Sequence, residues 1–318
     1  MKLAVLDGYT LNPGDLSWDA LQQLGDVTVY DRTPADQAIA RAKGADAIFT
    51  NKTTITEEIL AQLPELKYIG ILATGYNVVD IAAAAKRNIT VTNVPAYSTP
   101  SVAQLTFALL LELCNHVQSH SDAVKEGEWV KSVDFSFWKH PILELQGKTM
   151  GIIGLGQIGR KVAEIAFAFG LDVIGYDINM DKQYTHPNFK WADLDKLLRE
   201  SDIVSMHCPL FPENQGLINK DTLGKMKQTA VFINTARGGL MNEHDLADAL
   251  NSGQIAGAGL DVLSIEPPSA DNPLLSAKNC VMTPHIAWAS RESRSRLMTA
   301  IVENYQRFLD NDPINVVN

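Results

Sequence analysis

The sequence contains only three cysteines, and they form no recognisable disulfide or metal-binding motif. Cys114, Cys208 and Cys280 are an odd number, lie far apart and show no CxxC spacing. A disulfide framework and a zinc site are therefore not indicated, and we expect no bound metal. The three thiols are expected to be reduced and to pack as small apolar side chains.

Long apolar runs are also missing. No uncharged apolar stretch approaches the roughly 20 residues that a membrane span requires, and Asp7 arrives before a signal-peptide core is complete. The 318 residues are 46% hydrophobic and 20% charged, a composition typical of globular protein, and the length predicts two domains. We therefore expect a cytoplasmic protein without a membrane partner.

Positive charge is in deficit, with 27 Lys and Arg against 37 Asp and Glu and a formal net charge of −10. A nucleic-acid backbone is repelled by this balance unless a local basic patch outweighs it, and the sequence shows no such patch. We expect no nucleic-acid partner, which directs attention to small molecules.

One glycine-rich stretch, MGIIGLGQIG at residues 150–159, carries a specific signal. Gly154, Gly156 and Gly159 have GxGxxG spacing between an apolar run and a helical pattern over residues 158–169. The first glycine permits a tight turn, the second admits a pyrophosphate, and the third lets the helix pack closely on the strand. An ordinary strand-to-helix turn is the alternative interpretation.

The following strand, over residues 172–176, ends on Asp177, about 20 residues beyond the glycines, where an acid binds the adenosine ribose in dinucleotide-binding folds. A carboxylate there accepts both ribose hydroxyls and repels a 2′-phosphate. Residues 178–180 offer no arginine to neutralise such a phosphate, so NAD is favoured over NADP. The alternative is a solvated Asp at a strand end.

Short apolar runs alternate with helical patterns along most of the chain, which predicts parallel sheets covered by helices. We predict an α/β protein with two doubly wound, Rossmann-like domains. Residues 1–98 and 289–318 form a discontinuous substrate-binding (catalytic) domain, and residues 99–288 form the NAD-binding domain. The predicted strands cover residues 3–6, 27–30, 47–49, 68–72, 89–91, 150–153, 172–176, 203–206, 230–234, 257–261 and 281–283.

Residues 101–126 predict one long helix that is apolar on nearly every side through Leu113. Such a helix runs through a core or forms a subunit interface, and we predict a homodimer to which it contributes. Residues 127–147 lack periodicity but contain several aromatic side chains, so we predict a loop that serves a partner subunit.

Three charged or titratable residues follow late strands: Arg237 after VFINTA, Glu266 in DVLSIEPP and His285 in VMTPHIAWAS. Arg237 can fork onto a carboxylate and polarise the adjacent carbonyl. His285 can donate and accept a proton, and Glu266 can orient the imidazole and favour its protonated form. These roles suit hydride transfer to a 2-keto acid. Taken singly, each residue could instead flank a turn, be solvated or serve the fold.

The segment ATGYN at residues 73–77 is the candidate anion site of the first domain, because small residues there let backbone N–H groups face an anion. A glycine turn before a helix is the alternative. Residues 73–77 contain no cationic side chain that could bind a substrate phosphate, which favours an unphosphorylated acid as the substrate.

These motifs together give a family resemblance. GLGQIG at Gly154, NTARGG around Arg237, LDVLSIEPP around Glu266 and TPHIAWAS around His285 resemble the D-isomer-specific 2-hydroxyacid dehydrogenases over essentially the whole chain. Within that family, ATGYNVVD and FSFWKHP are most similar to the branch of glycerate dehydrogenases, or hydroxypyruvate reductases. The resemblance implies that Arg237, Glu266 and His285 are catalytic.

The resemblance also assigns binding residues. It implies that Thr74 and Gly75 bind the substrate carboxylate through backbone amides, with Arg237 and His285, and that Trp138 reaches the substrate pocket of the other subunit. Its NAD site comprises Gly154, Gly156, Gln157, Ile158, Gly159, Asp177, Cys208, Pro209, Thr235, Ala236, Arg237, Asp261 and His285.

The expected reaction is the NAD-dependent reduction of a small 2-keto acid, hydroxypyruvate or glyoxylate first, to the D-2-hydroxy acid. A D-lactate-type or other D-2-hydroxyacid dehydrogenase is the alternative within the family. A corepressor-like scaffold that senses NAD is the alternative of another class.

Overall fold

A computed structural model describes residues 1–181 and 183–318. The chain divides into two compact units: unit 1 comprises Met1–Ser98 and Ala289–Asn318, and unit 2 comprises Thr99–Trp288. Each unit is built on its own parallel sheet with helices, which confirms the α/β class expected from the alternation of strands and helices.

Unit 1 has a five-stranded parallel sheet in the order β2-β1-β3-β4-β5. Every residue of the central strand β3 and of its neighbour β4 is buried, as expected for a parallel sheet covered on both faces. The elements are β1 (Lys2–Val5), α1 (Asp19–Gln22), β2 (Asp26–Val29), α2 (Ala38–Ala42), β3 (Ala47–Thr50), α3 (Glu57–Leu60), β4 (Tyr68–Ile71), α4 (Ile81–Lys86) and β5 (Thr90–Thr92).

Unit 2 has a seven-stranded parallel sheet in the order β12-β11-β10-β9-β6-β7-β8. The strand order reverses between β6 and β9, and a doubly wound sheet binds ligands at the carboxyl ends of the strands beside such a reversal. The strands are β6 (Thr149–Ile153), β7 (Asp172–Tyr176), β8 (Phe189–Trp191), β9 (Ile203–Met206), β10 (Val231–Asn234), β11 (Gly257–Leu260) and β12 (Cys280–Met282).

The helices of unit 2 begin with α5 (Thr99–Asn115) and α6 (Val117–Lys125), and this pair corrects the prediction of one long helix. His116 lies between them with φ +47°, in the left-handed region, which a right-handed helix does not contain. The others are α7 (Gln157–Ala168), α8 (Leu194–Glu200), α9 (Lys220–Leu223) and α10 (Glu243–Ser252), and the final helix α11 (Arg291–Leu309) belongs to unit 1.

Helix α11 is fastened to unit 1 by aromatic and ionic contacts. Tyr305 packs against Tyr68 of β4 with ring centroids 5.1 Å apart. Arg294, which is 9% exposed, donates to both carboxylate oxygens of Asp15 at 2.6 and 2.7 Å. The pKa of Asp15 is held below its usual value by this guanidinium. The last residues then form an antiparallel bridge between Val316 and Thr92.

Residues 127–147 contain no helix or strand, as the lack of periodicity predicts. Within the described residues, the helices are too short or too polar for any of them to cross a bilayer.

Candidate active site

The glycine turn between β6 and α7 has the backbone geometry expected from its spacing. Gly154 has φ +93°, and a Cβ at this position would lie 2.5 Å from the backbone nitrogen of Cys208. At Gly159 a Cβ would lie 2.1 Å from the carbonyl oxygen of Gly154. The first position therefore requires glycine for its φ and close approach, and the second for the packing of α7 against the turn.

Gly156 differs from Gly154 and Gly159 because, apart from the adjacent stretch of its own chain, no described atom lies within 4 Å of the place where its Cβ would be. It is the N-cap of α7, next to the amides of Gln157 and Ile158. The first amides of a helix have no partner within the helix and face anions favourably. Open space beside these amides fits the pyrophosphate of a dinucleotide.

Asp177 follows β7 and is bonded to the same turn. Its Oδ2 accepts from the backbone N–H of Leu155 at 2.7 Å, and its Oδ1 accepts from the N–H of Asn179 at 3.1 Å. The carboxylate is half-buried. It therefore stands directly beside the glycine turn, at the end of the strand that pairs with β6.

On the other side of β6, the sheet continues with β9 and β10. Cys208 and Pro209 follow β9, and burial raises the pKa of the Cys208 thiol to about 11, so the thiol is neutral at pH 7. Thr235 and Ala236 follow β10, and the hydroxyl of the buried Thr235 lies 3.1 Å from that of Thr106 on α5. Cys208, Pro209, Thr235 and Ala236 thus present main-chain groups and uncharged side chains at this edge of the sheet.

Arg237 is exposed at the end of β10, and the preceding Asn234 holds its main chain. The Asn234 amide donates to the carbonyl of Arg237 at 2.9 Å and accepts from the N–H of Ala236 at 3.0 Å. The Arg237 Nη1 donates to the carbonyl of Ala236 at 2.7 Å. Sequence reasoning missed the supporting role of Asn234. The position of an Asn at the end of the apolar run VFIN could have indicated it.

Glu266 and His285 are in direct contact, with Oε2 2.6 Å from Nδ1. The other carboxylate oxygen of Glu266 accepts from the backbone N–H of Leu263 at 3.0 Å. Since a carboxylate only accepts, the Nδ1 of His285 carries the hydrogen. The Nε2 of His285 has no partner among the described residues and is left to a ligand.

The loop that carries His285 is held by Asp261, which is 1% exposed. Its carboxylate accepts from the Thr283 hydroxyl at 2.6 Å and from the amides of Ile286 and Ala287 at 2.9 and 2.8 Å. Burial raises the pKa of Asp261, and these three donors oppose the rise. His285 has φ +53°, an unusual backbone conformation that this network supports.

The three strands that precede these side chains are neighbours. Asn234 pairs with Leu260, and Leu260 pairs with Met282, so Arg237, Glu266 and His285 leave the same edge of the sheet. Gly238 packs so closely that a Cβ there would lie 1.9 Å from the carbonyl carbon of Leu263. The structure thus joins Glu266 to His285 directly and places Arg237 on the adjacent strand end.

In unit 1, the loop after β4 carries Thr74 and Gly75. The Thr74 hydroxyl donates to the carbonyl of Val94 at 2.8 Å, and the Asn93 amide donates to the carbonyl of Thr74 at 2.7 Å. The amides of Thr74 and Gly75 have no acceptor among the residues that the structure describes. They are therefore free to bind an anion.

Trp138 lies in the loop of residues 127–147 and is 69% exposed. Its neighbour Lys139 is anchored, since the Lys139 N–H donates to the His120 Nε2 at 3.1 Å and its ammonium lies 2.7 Å from Glu128 Oε1. Trp138 is thus a large apolar side chain presented to solvent by a tethered loop. In the part of the chain that the structure describes, no group of three or more His, Cys, Asp or Glu side chains could hold a metal.

Comparison with known proteins identifies the family. Residues 107–287 match the family model described as D-isomer specific 2-hydroxyacid dehydrogenase, NAD binding domain. The chain is 50% identical over 321 residues to a hydroxypyruvate reductase of Blautia hydrogenotrophica, with 100% of both chains covered. It is 38% identical over 284 residues to a glycerate dehydrogenase of Methylorubrum extorquens, which covers 89% of this chain and 88% of the relative.

Among solved structures, the chain resembles the NAD-complexed D-isomer specific 2-hydroxyacid dehydrogenase of Lactobacillus delbrueckii ssp. bulgaricus. The TM-score is 0.81 at 28% identity, with 100% of each chain covered. The resemblance found in the sequence motifs is confirmed. The chain therefore belongs to the D-isomer-specific 2-hydroxyacid dehydrogenases and is an NAD-dependent oxidoreductase.

Proposed function

We propose that the protein reduces a small 2-keto acid to the D-2-hydroxy acid with NADH, with hydroxypyruvate or glyoxylate as the first candidate. The observation that carries this proposal is the 2.6 Å contact between His285 Nδ1 and Glu266 Oε2, which leaves the His285 Nε2 for a substrate. The names of the hydroxypyruvate reductase and glycerate dehydrogenase relatives support the substrate class.

His285 is the acid and base of the proposed reaction. NADH, when bound, supplies a hydride to the carbonyl carbon. The Nε2 of protonated His285 gives its proton to the carbonyl oxygen as negative charge develops there, and it takes the proton back in the reverse direction. Glu266 accepts from Nδ1, so it orients the ring and stabilises the positive imidazolium.

Arg237 is the proposed clamp on the substrate. Its guanidinium forks onto the substrate carboxylate and polarises the neighbouring carbonyl, since it remains charged and presents paired donors. The free amides of Thr74 and Gly75 also bind the carboxylate. In this proposal, residues 1–98 and 289–318 form the substrate-binding domain, and residues 99–288 form the NAD-binding domain.

The proposed NAD site surrounds the glycine turn. Gly156 admits the pyrophosphate to the N-terminus of α7, and Asp177 binds the adenosine ribose and disfavours a 2′-phosphate. The remaining proposed contacts come from Gly154, Gln157, Ile158, Gly159, Cys208, Pro209, Thr235, Ala236, Arg237, Asp261 and His285.

A cytoplasmic homodimer is also part of the proposal. The loop of residues 127–147 exposes Val133, Phe135 and Trp138 at 101%, 91% and 69%. Three large apolar side chains on one tethered loop favour burial against a second copy of the chain, because contiguous exposed apolar surface marks interaction sites. Trp138 is proposed to reach the substrate pocket of that copy.

The proposal is tested by measuring NADH oxidation against a panel of hydroxypyruvate, glyoxylate, pyruvate and bulkier 2-keto acids, with NADPH run in parallel. We expect turnover with NADH, fastest with hydroxypyruvate or glyoxylate. Turnover that is faster with NADPH would contradict the role of Asp177. Binding of NADH without turnover of any acid would reject the enzyme and favour a scaffold that senses NAD.

A further inference from the structure

A cation stands close to the proposed ribose acid, at a position that residues 178–180 did not suggest. Asp177 Oδ2 accepts from the N–H of Leu155 at 2.7 Å, and Arg160 Nε donates to the carbonyl of the same Leu155 at 3.1 Å. The carboxylate and the guanidinium are thus bonded to the N–H and to the carbonyl of one residue in the glycine turn.

This arginine is occupied by a second acid. The Arg160 Nη2 lies 2.8 Å from Asp181 Oδ2, and the guanidinium carbon lies 5.1 Å from the centroid of the Tyr184 ring. Asp181 is itself held in its turn, because it accepts from the N–H of Gln183 at 3.0 Å. The guanidinium is therefore both oriented and neutralised.

Neither folding nor the helix explains this arrangement. Arg160 is the fourth residue of α7, where the positive end of the helix dipole disfavours a cation. The ion pair is 41% and 40% exposed, and pairs as exposed as this contribute little to stability. In dinucleotide-binding folds, an arginine near the ribose acid is the group that accommodates a 2′-phosphate.

We propose that Asp181 is a second residue that selects NAD over NADP, because it holds Arg160 away from a 2′-phosphate beside Asp177. Selection then has two parts. Asp177 repels the phosphate directly, and Asp181 withdraws the cation that would attract it. This inference rests on the NAD site of the proposed function.

Nucleotide binding to the purified full-length protein, without any keto acid, tests the inference. We measure the Kd of NADH and of NADPH by titration calorimetry for the wild type and Asp181→Asn. Asn keeps an oxygen for the Gln183 amide but loses the charge. We expect the Kd of NADPH to fall about threefold to tenfold, as for a partly exposed charge-assisted contact, while that of NADH changes by less than about twofold.

Two further variants assign the effect. Arg160→Gln in the Asp181→Asn background should remove the gain for NADPH. Asp195→Asn is the control, because it removes the acid of a different ion pair in unit 2, the pair between Asp195 and Lys225. It should change neither the Kd of NADH nor that of NADPH.

Several outcomes would overturn the inference. They are an unchanged NADPH affinity in Asp181→Asn, a gain that survives Arg160→Gln, or an equal gain in Asp195→Asn. A lowered melting temperature in Asp181→Asn with no change in NADPH affinity would make the pair structural. A wild type that binds neither nucleotide would reject the NAD site of the proposed function, which is a different result.

Discussion

His285 Nδ1 lies 2.6 Å from Glu266 Oε2, and each partner is separately tied to main chain. The Glu266 Oε1 accepts from Leu263 N–H, and the His285 N–H donates to the carbonyl of Asp261 at 2.8 Å. The contact is of the short, charge-assisted kind when the imidazole is protonated. It joins the loops after β11 and β12, so the position of the ring depends on both.

Replacing His285 with Gln should remove the proton donor. We expect kcat for keto-acid reduction to fall about 100-fold to 10,000-fold, the usual contribution of general acid catalysis. The Kd of NADH should persist, because Gln keeps a polar side chain of similar reach. His244→Gln, an exposed histidine of α10, is the matched control and should behave as the wild type. Unchanged turnover in His285→Gln would remove His285 from the mechanism.

Glu266→Gln should retain a hydrogen bond to His285 but lose the charge that supports the imidazolium. We expect kcat to fall about 10-fold to 100-fold, as for the loss of a charge-assisted hydrogen bond, with a smaller effect than His285→Gln. Steady-state kinetics of both variants and of the double variant measure this. Effects that multiply fully in the double variant would mean that the two residues act independently.

The glycines of the turn should separate folding from cofactor binding. Gly156→Ala places a methyl in space that no described atom occupies, so the melting temperature should hold while the Kd of NADH rises about tenfold or more. Gly159→Ala places it 2.1 Å from the Gly154 carbonyl and should lower the melting temperature. Calorimetric unfolding and NADH titration distinguish the two. Normal NADH affinity in a folded Gly156→Ala would exclude the pyrophosphate from this position.

His207 should make the fold sensitive to acid. Burial lowers its pKa from 6.5 to about 3, and its Nδ1 is buried without a partner among the described residues. Between pH 6.5 and pH 3 the unfolded chain binds a proton at His207 that the folded protein does not bind. The free energy of unfolding is therefore unaffected by His207 above pH 6.5 and decreases as the pH falls toward 3. The loss is about 1.4 kcal/mol for each pH unit between these two values.

The measurement is the free energy of unfolding of wild type and His207→Asn between pH 7 and pH 4.5. The wild type should lose more stability over this interval than His207→Asn, whatever their absolute values. His244→Asn, an exposed control, should follow the wild-type slope. Parallel curves for the wild type and His207→Asn would show that the ring does not govern this dependence.

The exposed loop should govern assembly. Phe135→Asp puts a charge where a side chain is 91% exposed, so it should leave the fold intact but shift a dimer toward monomer because burying the carboxylate is costly. Size-exclusion chromatography with light scattering reports the mass. Leu275→Asp, at an exposed apolar position outside this loop, should remain dimeric. A wild type that is monomeric at micromolar concentration would reject the dimer.

Sequence periodicity was sufficient for most of the regular structure. The apolar runs predicted β7 and β9 with their observed ends, because buried strands of a parallel sheet are mostly apolar. It missed β8 (Phe189–Trp191), because the charged Lys190 interrupts the apolar run there. It also joined α5 to α6, because the left-handed backbone of His116 leaves no mark in an otherwise helical pattern.

For the site, the residue types and the pairing of Glu266 with His285 were predictable, and the supporting contacts were not. Arg237, Glu266 and His285 could be selected because each follows a strand, and strand ends bear ligands in this class. Asn234 and the bonds of Asp261 to the His285 loop were beyond the sequence, because they join residues through neighbouring strands. The Arg160 contact with Asp181 spans 21 positions and needs α7 packed beside the turn after β7.

The sequence by itself determined the kind of sheet, the glycine turn, the acid at Asp177 and the family. These features depend on spacing along the chain, where glycine conformation and apolar periodicity act locally. Only the tertiary structure decided that Gly156 faces open space, that Glu266 meets His285 at 2.6 Å, and that Arg160 is taken up by Asp181. Such contacts arise when strands far apart in sequence pair side by side, and their distances follow from packing in three dimensions.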